Sequence, residues 1–193
     1  VMLMQTTQNN GQRQSTNLAF LEPIRNRRNL HVVTNVRVTK ILIDPQRRSA
    51  YGVEYALEKQ RNVVRRAFAQ KEVLVSGGAI NTPQLLMHSG IGPREILEPL
   101  GIQIIADLKV GYNLQDHVST TALSYLLTSK TETEVTDEEM RRDLGLYNST
   151  RRTGPLTTTG AGQMTAYTNS RYGNPNIDYP DIQFLFRPTA SLV

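Results

Sequence analysis

Lys71-Glu-Val-Leu-Val-Ser-Gly-Gly-Ala-Ile-Asn-Thr-Pro-Gln-Leu-Leu-Met-His-Ser-Gly-Ile-Gly92 decides how this chain folds. The run Val73-Leu74-Val75 is apolar throughout, the mark of a strand covered on both faces, and it predicts a buried strand from Lys71 to Ser76. Gly77 and Gly78 stop that strand. Thr82 and Pro83 predict the start of a helix. A threonine oxygen accepts a first-turn N–H, and proline at the first helical position lacks only an N–H that would be unpaired anyway. Leu85, Leu86 and Met87 supply its buried side, and Gly90 its end. A glycine pair between strand and helix lets the backbone approach a phosphate or a ring, because no Cβ blocks it and the helix start offers free N–H groups. An ordinary tight turn has the same spacing, so the spacing alone balances the two readings.

The upstream sequence breaks that balance. Residues 1–14 are polar and read as a loop. Ser15 or Thr16 caps a short or kinked helix with Leu18, Leu21 and Ile24 at a spacing of three and Pro23 inside it. Leu30 to Asp44 is rich in β-branched residues, and Asp44-Pro45-Gln46-Arg47-Arg48 is a turn. Tyr51, Val53, Tyr55 and Leu57 alternate with period two, and Asn62 to Ala69 is a third strand. Three meandering strands that lead into a buried strand and helix predict an antiparallel ribbon inserted into a parallel sheet.

Downstream, Pro93 to Leu100 predicts a short helix closed by Gly101, and Ile102 to Ala106 a strand. Val110 to Val118 reads as a loop. A region of different character follows a soft boundary at 119–130. Thr131 to Glu139 is acidic. Thr136 with Glu139 fits a capping box, and the helix it opens runs to about Tyr147. Arg151 to Gly162 reads as a long loop, and Asp181 to Phe186 as a strand. Gly160-Ala-Gly162 lacks a third glycine and follows no strand, so it does not qualify as a phosphate-binding loop.

Composition removes several classes of function. The 193 residues contain no cysteine, which excludes a disulfide scaffold, a thiolate zinc site and a cysteine nucleophile. His31, His88 and His117 stand far apart without metal-ligand spacing, so no metal site is expected. No apolar run reaches the ~20 residues that span a bilayer, so no transmembrane segment is expected. No signal segment follows Val1, and the chain is expected to be a piece of something longer. Residues 1–71 hold 13 Lys+Arg against 4 Asp+Glu, whereas residues 72–193 hold 9 against 13. A basic first third raises nucleic acid or an anionic membrane surface as partners. Arginines that alternate with valines, as at Val36-Arg37-Val38, instead suit the solvent face of a sheet. No aromatic stacking platform accompanies them, so no nucleic-acid partner is expected.

Several blocks, in order, resemble one family. Gly78-Ala79-Ile80-Asn81-Thr82-Pro83, then Leu85-Leu86, then Ser89-Gly90-Ile91-Gly92, is similar to the second signature of the glucose–methanol–choline (GMC) oxidoreductases, which are flavoproteins. Gly11-Gln-Arg-Gln-Ser-Thr16 with Ala19-Phe20-Leu21 resembles the helix before the meander. Val110-Gly-Tyr-Asn-Leu-Gln-Asp-His117 resembles the family's VGxNLxDH segment. Gly154-Pro155-Leu156-Thr157 and Tyr179-Pro-Asp-Ile-Gln183 resemble blocks of its substrate domain.

The resemblance implies an α/β fold, turning α+β in its second part. Residues 1–120 would be the central part of an FAD-binding, Rossmann-type domain with an inserted antiparallel meander, and residues 121–193 the start of a substrate-binding sheet domain. It implies FAD as cofactor and oxidation of a small alcohol or sugar by hydride transfer to the flavin. Val38 would meet the adenine part through its backbone. Ser76, Gly77 and Gly78 would lie against the ADP portion, and Asn113, Asp116 and His117 on the flavin side. The family's glycine-rich pyrophosphate loop and its catalytic histidine are expected outside this chain, so no catalytic base is assigned and the 193 residues alone are expected to be inactive. The rival readings are a non-catalytic GMC-like binding protein and a basic nucleic-acid module.

Overall fold

In the computed structural model, residues 1–120, 135–158, 164–174 and 176–186 are described. In chain order the elements are β1 (Met2–Leu3), β2 (Gln8–Asn9), β3 (Gln12–Arg13), a helical segment over Asn17–Leu21 with a 3₁₀ turn over Glu22–Ile24, β4 (Val36–Asp44), β5 (Ser49–Leu57), β6 (Gln60–Phe68), α1 (Gly78–His88), β7 (Ile91–Gly92), α2 (Arg94–Leu97) with a 3₁₀ turn over Glu98–Leu100, β8 (Ala106–Asp107), α3 (Asp137–Tyr147), β9 (Met164–Thr168) and β10 (Ile182–Phe186). The chain divides into two units, one of His31–Ser119 and one of Val1–Leu30 with Thr120–Val193. Residues 121–130 of the soft boundary at 119–130, the acidic residues up to 134 and the Gly160–Gly162 segment lie outside the described residues.

In the unit His31–Ser119 the antiparallel meander β4–β5–β6 forms as the sequence predicts. Val38 faces Tyr55, and Val53 stands between Ile41 and Ala67. The Asp44 turn closes its first hairpin: Asp44 Oδ1 accepts the N–H groups of Gln46 at 2.9 Å and Arg47 at 3.0 Å. The first strand starts at Val36, six residues after the expected Leu30. Asn35, at φ 56°, takes a left-handed turn there, and its carbonyl accepts the Glu58 N–H at 3.0 Å. Burial on β5 falls on Gly52 and Ala56, the face opposite the alternating Tyr51, Val53, Tyr55 and Leu57. Gly52 tolerates no side chain, since a Cβ would stand 2.4 Å from the Ala67 carbonyl oxygen. Ile41, Leu42 and Ala56 form the meander's part of the core.

Two expectations from the opening stretch are corrected. Lys71–Ser76 forms no strand, and Leu74 is 80% exposed. A strand exists by its ladder of hydrogen bonds to a neighbour, and none of the described residues pairs with this segment. Helix α1 begins at Gly78 and not at Thr82-Pro83. Gly78 adopts φ 85°, which turns the chain into the helix four residues early, and Pro83 is carried inside at the cost of one backbone hydrogen bond.

After α1 the chain turns sharply at Gly90, whose carbonyl accepts the N–H groups of Ile105 at 2.8 Å and Ala106 at 3.2 Å. The expected strand over 102–106 contracts to β8, which pairs in parallel with β7. Asp107 Oδ1 accepts the Arg94 N–H at 3.0 Å and so caps α2 from thirteen residues away. Leu97 of α2 is fully buried, and Gly101 at φ 68° closes the following turn.

In the other unit, Ser15 caps the helical segment by accepting the Leu18 N–H at 3.3 Å. The segment opens into a wide turn, with the Glu22 N–H reaching the Asn17 carbonyl. The polar N-terminus is not wholly loop. β2 and β3 form a hairpin whose tip, Asn10 at φ 49° and Gly11 at φ 67°, is the turn that Asn-Gly favours. β9 stands between β1 and β10 in an antiparallel sheet. Helix α3 starts with the expected capping box: Thr136 Oγ1 accepts the Glu139 N–H at 3.3 Å, and the Glu139 carboxylate accepts the Thr136 N–H at 2.9 Å.

Candidate functional site

Helix α1 organises the site. Its N-terminus carries no side-chain cap, so its first-turn N–H groups are not met by a side chain of the preceding turn. At Gly78 a Cβ would meet nothing within 4 Å, so the left-handed residue at the helix start faces open space. The donors here are backbone N–H groups on a partial positive charge, a set that suits an anionic or carbonyl oxygen.

The middle of α1 holds the loop that follows β8. A Cβ on Gly111, at φ 87°, would stand 3.3 Å from the Met87 methyl and 3.9 Å from Pro83 Cβ. Glycine suits this place, since φ is positive and a side chain would crowd the Met87 methyl. The next residue, Tyr112, donates its hydroxyl to Glu95 Oε1 at 2.7 Å. That hydrogen bond holds the Glu95 carboxyl below its ordinary value and raises the Tyr112 phenol above its own.

At the C-terminal end of α1, the buried Ser89 hydroxyl donates to the Leu85 carbonyl at 2.6 Å and accepts the Ile41 N–H at 2.8 Å. This bond ties β4 to the helix.

Val38 lies on β4, three residues before Ile41, beside a bulge between Val38 and Lys40, and is 39% exposed. Ser76 and Gly77 are exposed and lead directly into α1, with Gly78 as its first residue. Asn113, Asp116 and His117 are exposed in the loop beyond Gly111. Asn113 Oδ1 accepts from Gln115 Nε2 at 2.9 Å, and Asp116 Oδ1 accepts the His117 N–H at 2.7 Å.

The structure therefore brings Gly111, at the start of the 111–117 loop, and the Gly77–Gly78 turn onto one helix, and gives no contact of Asn113, Asp116 or His117 with it among the described hydrogen bonds. It ties Val38's strand to the other end of that helix, roughly 16 Å along its axis from Gly78 at 1.5 Å per residue. Three anchoring residues were missed in the sequence. Ser89 lies inside the quoted signature, but its partner is 48 residues away. Glu95 and Tyr112 carry no spacing signal that would pair them. Among the described residues no group of three or more His, Cys, Asp or Glu could hold a metal ion, and no helix is long and apolar enough to cross a membrane.

Comparison with known proteins supplies the family. Residues 1–119 match the family model described as GMC oxidoreductase. The chain is 36% identical to the glucose dehydrogenase [FAD, quinone] of Drosophila pseudoobscura pseudoobscura, over 96% of this chain and 28% of that protein. It is 37% identical to the alcohol dehydrogenase [acceptor] of Pseudomonas putida, over 96% of this chain and 33% of that one. A solved formate oxidase variant from Aspergillus oryzae RIB40, studied for FAD modification, superposes with a TM-score of 0.64 and 27% identity, over 85% of this chain and 28% of its own. The chain thus spans between 28% and 33% of the length of these curated relatives. With its meander, its α1 signature and its 110–117 loop in the family's order, the chain belongs to the GMC oxidoreductases.

Proposed function

We propose that this chain is the central part of an FAD-dependent oxidoreductase that oxidises a small alcohol or sugar at a CH–OH carbon. The observation that carries the reading is the start of α1: an uncapped helix N-terminus entered through Gly78 at φ 85°, with nothing within 4 Å of where a side chain would stand. Those residues fit a dinucleotide, because backbone N–H groups and a glycine without steric cover are what close approach to a diphosphate requires. Membership of the GMC family and the FAD named for the Drosophila relative support the same cofactor.

In this reading residues 1–120 belong to the FAD-binding domain and residues 121–193 open the substrate-binding domain. The backbone of Ser76, Gly77 and Gly78 lies against the ADP portion, and the α1 N–H groups donate to its oxygens. Val38 presents its backbone to the adenine. Asn113, Asp116 and His117 stand on the flavin side, where their side chains offer donors and acceptors to polar edges. When bound, FAD supplies the redox chemistry by accepting a hydride from the alcohol carbon; the chain's residues bind and orient. No residue of this chain is assigned as the catalytic base, and the 193 residues by themselves do not turn over substrate. The apolar Val73-Leu74-Val75 run, with Leu74 exposed, suits a strand that pairs with a further segment of the whole polypeptide.

The test uses the natural polypeptide that carries this chain. It purifies yellow, releases FAD on denaturation, and bleaches when an alcohol or sugar substrate is added without an acceptor. Gly78→Ala costs folding only about 1–2 kcal/mol of left-handed strain, yet lowers FAD content more than tenfold because the new methyl occupies the approach. A colourless wild-type protein, or a Gly78→Ala protein with full FAD content, overturns the reading.

A further inference from the structure

We propose that Tyr112 and Glu95 form a clasp that sets the path of the Asn113–His117 loop and so positions its polar groups for the bound flavin; the inference rests on the cofactor reading above and deepens it. Tyr112 Oη donates to Glu95 Oε1 at 2.7 Å across seventeen residues of chain. The acceptor's platform is fixed independently. Glu95 lies in α2, whose first N–H is capped by Asp107 at 3.0 Å and whose Leu97 is fully buried. The donor's backbone is fixed as well. Gly111 rests on Met87, the Val110 N–H reaches the Leu108 carbonyl at 2.7 Å, and the Tyr112 N–H reaches the Lys109 carbonyl at 3.3 Å.

Beyond Tyr112 the described hydrogen bonds of residues 113–119 are local, Gln115 to Asn113 and the His117 N–H to Asp116. Tyr112 is therefore the last residue of this loop that a described hydrogen bond ties to another element. Gly111 and Tyr112 together hold two successive residues against α1 and α2, which fixes both the position and the heading of the chain as it leaves them. Removing the tie leaves the loop held by Gly111 and the backbone turn at 108–112 alone, and residues beyond it sample more directions before they meet the cofactor. A bound state that must first order this loop binds more weakly, without any change to the groups that touch the ligand.

The test uses the natural polypeptide that carries this chain, with FAD itself as the probe. Tyr112→Phe keeps the ring and loses the hydrogen bond; it raises the FAD dissociation constant about fivefold, the equivalent of one net hydrogen bond. It also broadens the visible circular dichroism of the bound flavin and leaves the melting temperature of the FAD-free protein unchanged. Glu95→Gln retains an acceptor oxygen and behaves as wild type. Glu95→Ala repeats Tyr112→Phe, and the double variant is no weaker than either single one. Wild-type FAD affinity and spectrum in Tyr112→Phe, while a separate Gly78→Ala protein has lost FAD, overturns the clasp and leaves the cofactor reading standing. A Tyr112→Phe protein whose FAD-free form melts lower in proportion to its lost affinity overturns the clasp in favour of plain stability. A wild-type protein that takes up no FAD overturns both.

Discussion

The hydroxyl of Ser89 accepts the backbone N–H of Ile41 at 2.8 Å while donating to the Leu85 carbonyl at 2.6 Å, and both Ser89 and Ile41 are buried. This one side chain joins an outer strand of the meander to the end of the helix that begins at the glycine turn. Ile41 pairs with Val53 on one side of β4, and its N–H points away from that partner. Serine supplies what a neighbouring strand would otherwise have given. The bond fixes how β4 lies against α1, and therefore where Val38 stands relative to the rest of the candidate site.

Ser89→Ala removes the only side-chain acceptor described for that N–H and leaves a buried donor unpaired. We expect a loss of about 2 kcal/mol in unfolding free energy, read by urea denaturation of the natural polypeptide, since an orphaned buried donor costs roughly 1–3 kcal/mol. Ser89→Thr keeps the hydroxyl and recovers part of the loss. An alanine variant within about 0.5 kcal/mol of wild type would show that the N–H finds another acceptor and that the helix and strand are not joined in this way.

Gly90, the next residue, is the most constrained glycine of this region. It sits at φ 88°, and a Cβ there would stand 2.4 Å from the Gln103 carbonyl oxygen and 3.1 Å from Ile105 Cγ1. The close object is backbone, which cannot rotate away. Gly90→Ala thus adds left-handed strain to a clash, and we expect about 3 kcal/mol or more of destabilisation. Gly101→Ala, at φ 68° with nothing within 4 Å, makes the control. It carries the strain alone and should cost about 1–2 kcal/mol. Equal losses from the two substitutions would mean that the Gln103 backbone yields freely.

These two positions also show what the sequence could and could not reveal. Local chemistry was legible. Thr136 and Glu139 stand three apart and form their capping box, the Asp44 turn closes its hairpin with two N–H bonds, and Gly101 ends its helix in the left-handed conformation. Asn10-Gly11 carried a hairpin signal that a polar composition hid. Long-range pairings were not legible. Nothing local assigns Ser89 to Ile41, Asp107 to the start of α2, or Tyr112 to Glu95, since each bond joins residues that fold topology alone brings together. The opposite error arose at Val73–Val75, where an apolar run gives the composition of a buried strand but cannot supply its neighbours. At the glycine pair, the sequence placed a break before the helix but misplaced the helix start. A left-handed Gly78 lets the helix form before the threonine and proline that usually open one.

In the unit that contains α3, Asp181 staples the connection between β9 and β10. Its carboxylate accepts the Ser170 hydroxyl at 2.6 Å on one oxygen and the Ser170 N–H at 2.6 Å on the other. The hydroxyl bond, followed by the N–H bond, lowers the Asp181 pKa from its ordinary 3.8. A carboxylate whose folded pKa lies below its unfolded one binds fewer protons in the folded state, so its contribution to stability is complete above 3.8 and disappears as pH falls through the lowered folded value. Carbon-detected NMR titration of the natural polypeptide should find Asp181 protonating below 3.8. Ser170→Ala keeps the N–H bond and loses the hydroxyl, so the Asp181 pKa should rise partway back and the acid arm of the stability curve should shift to higher pH. If Asp181 titrates at its ordinary value, or Ser170→Ala leaves it unmoved, the staple does not hold this turn in solution.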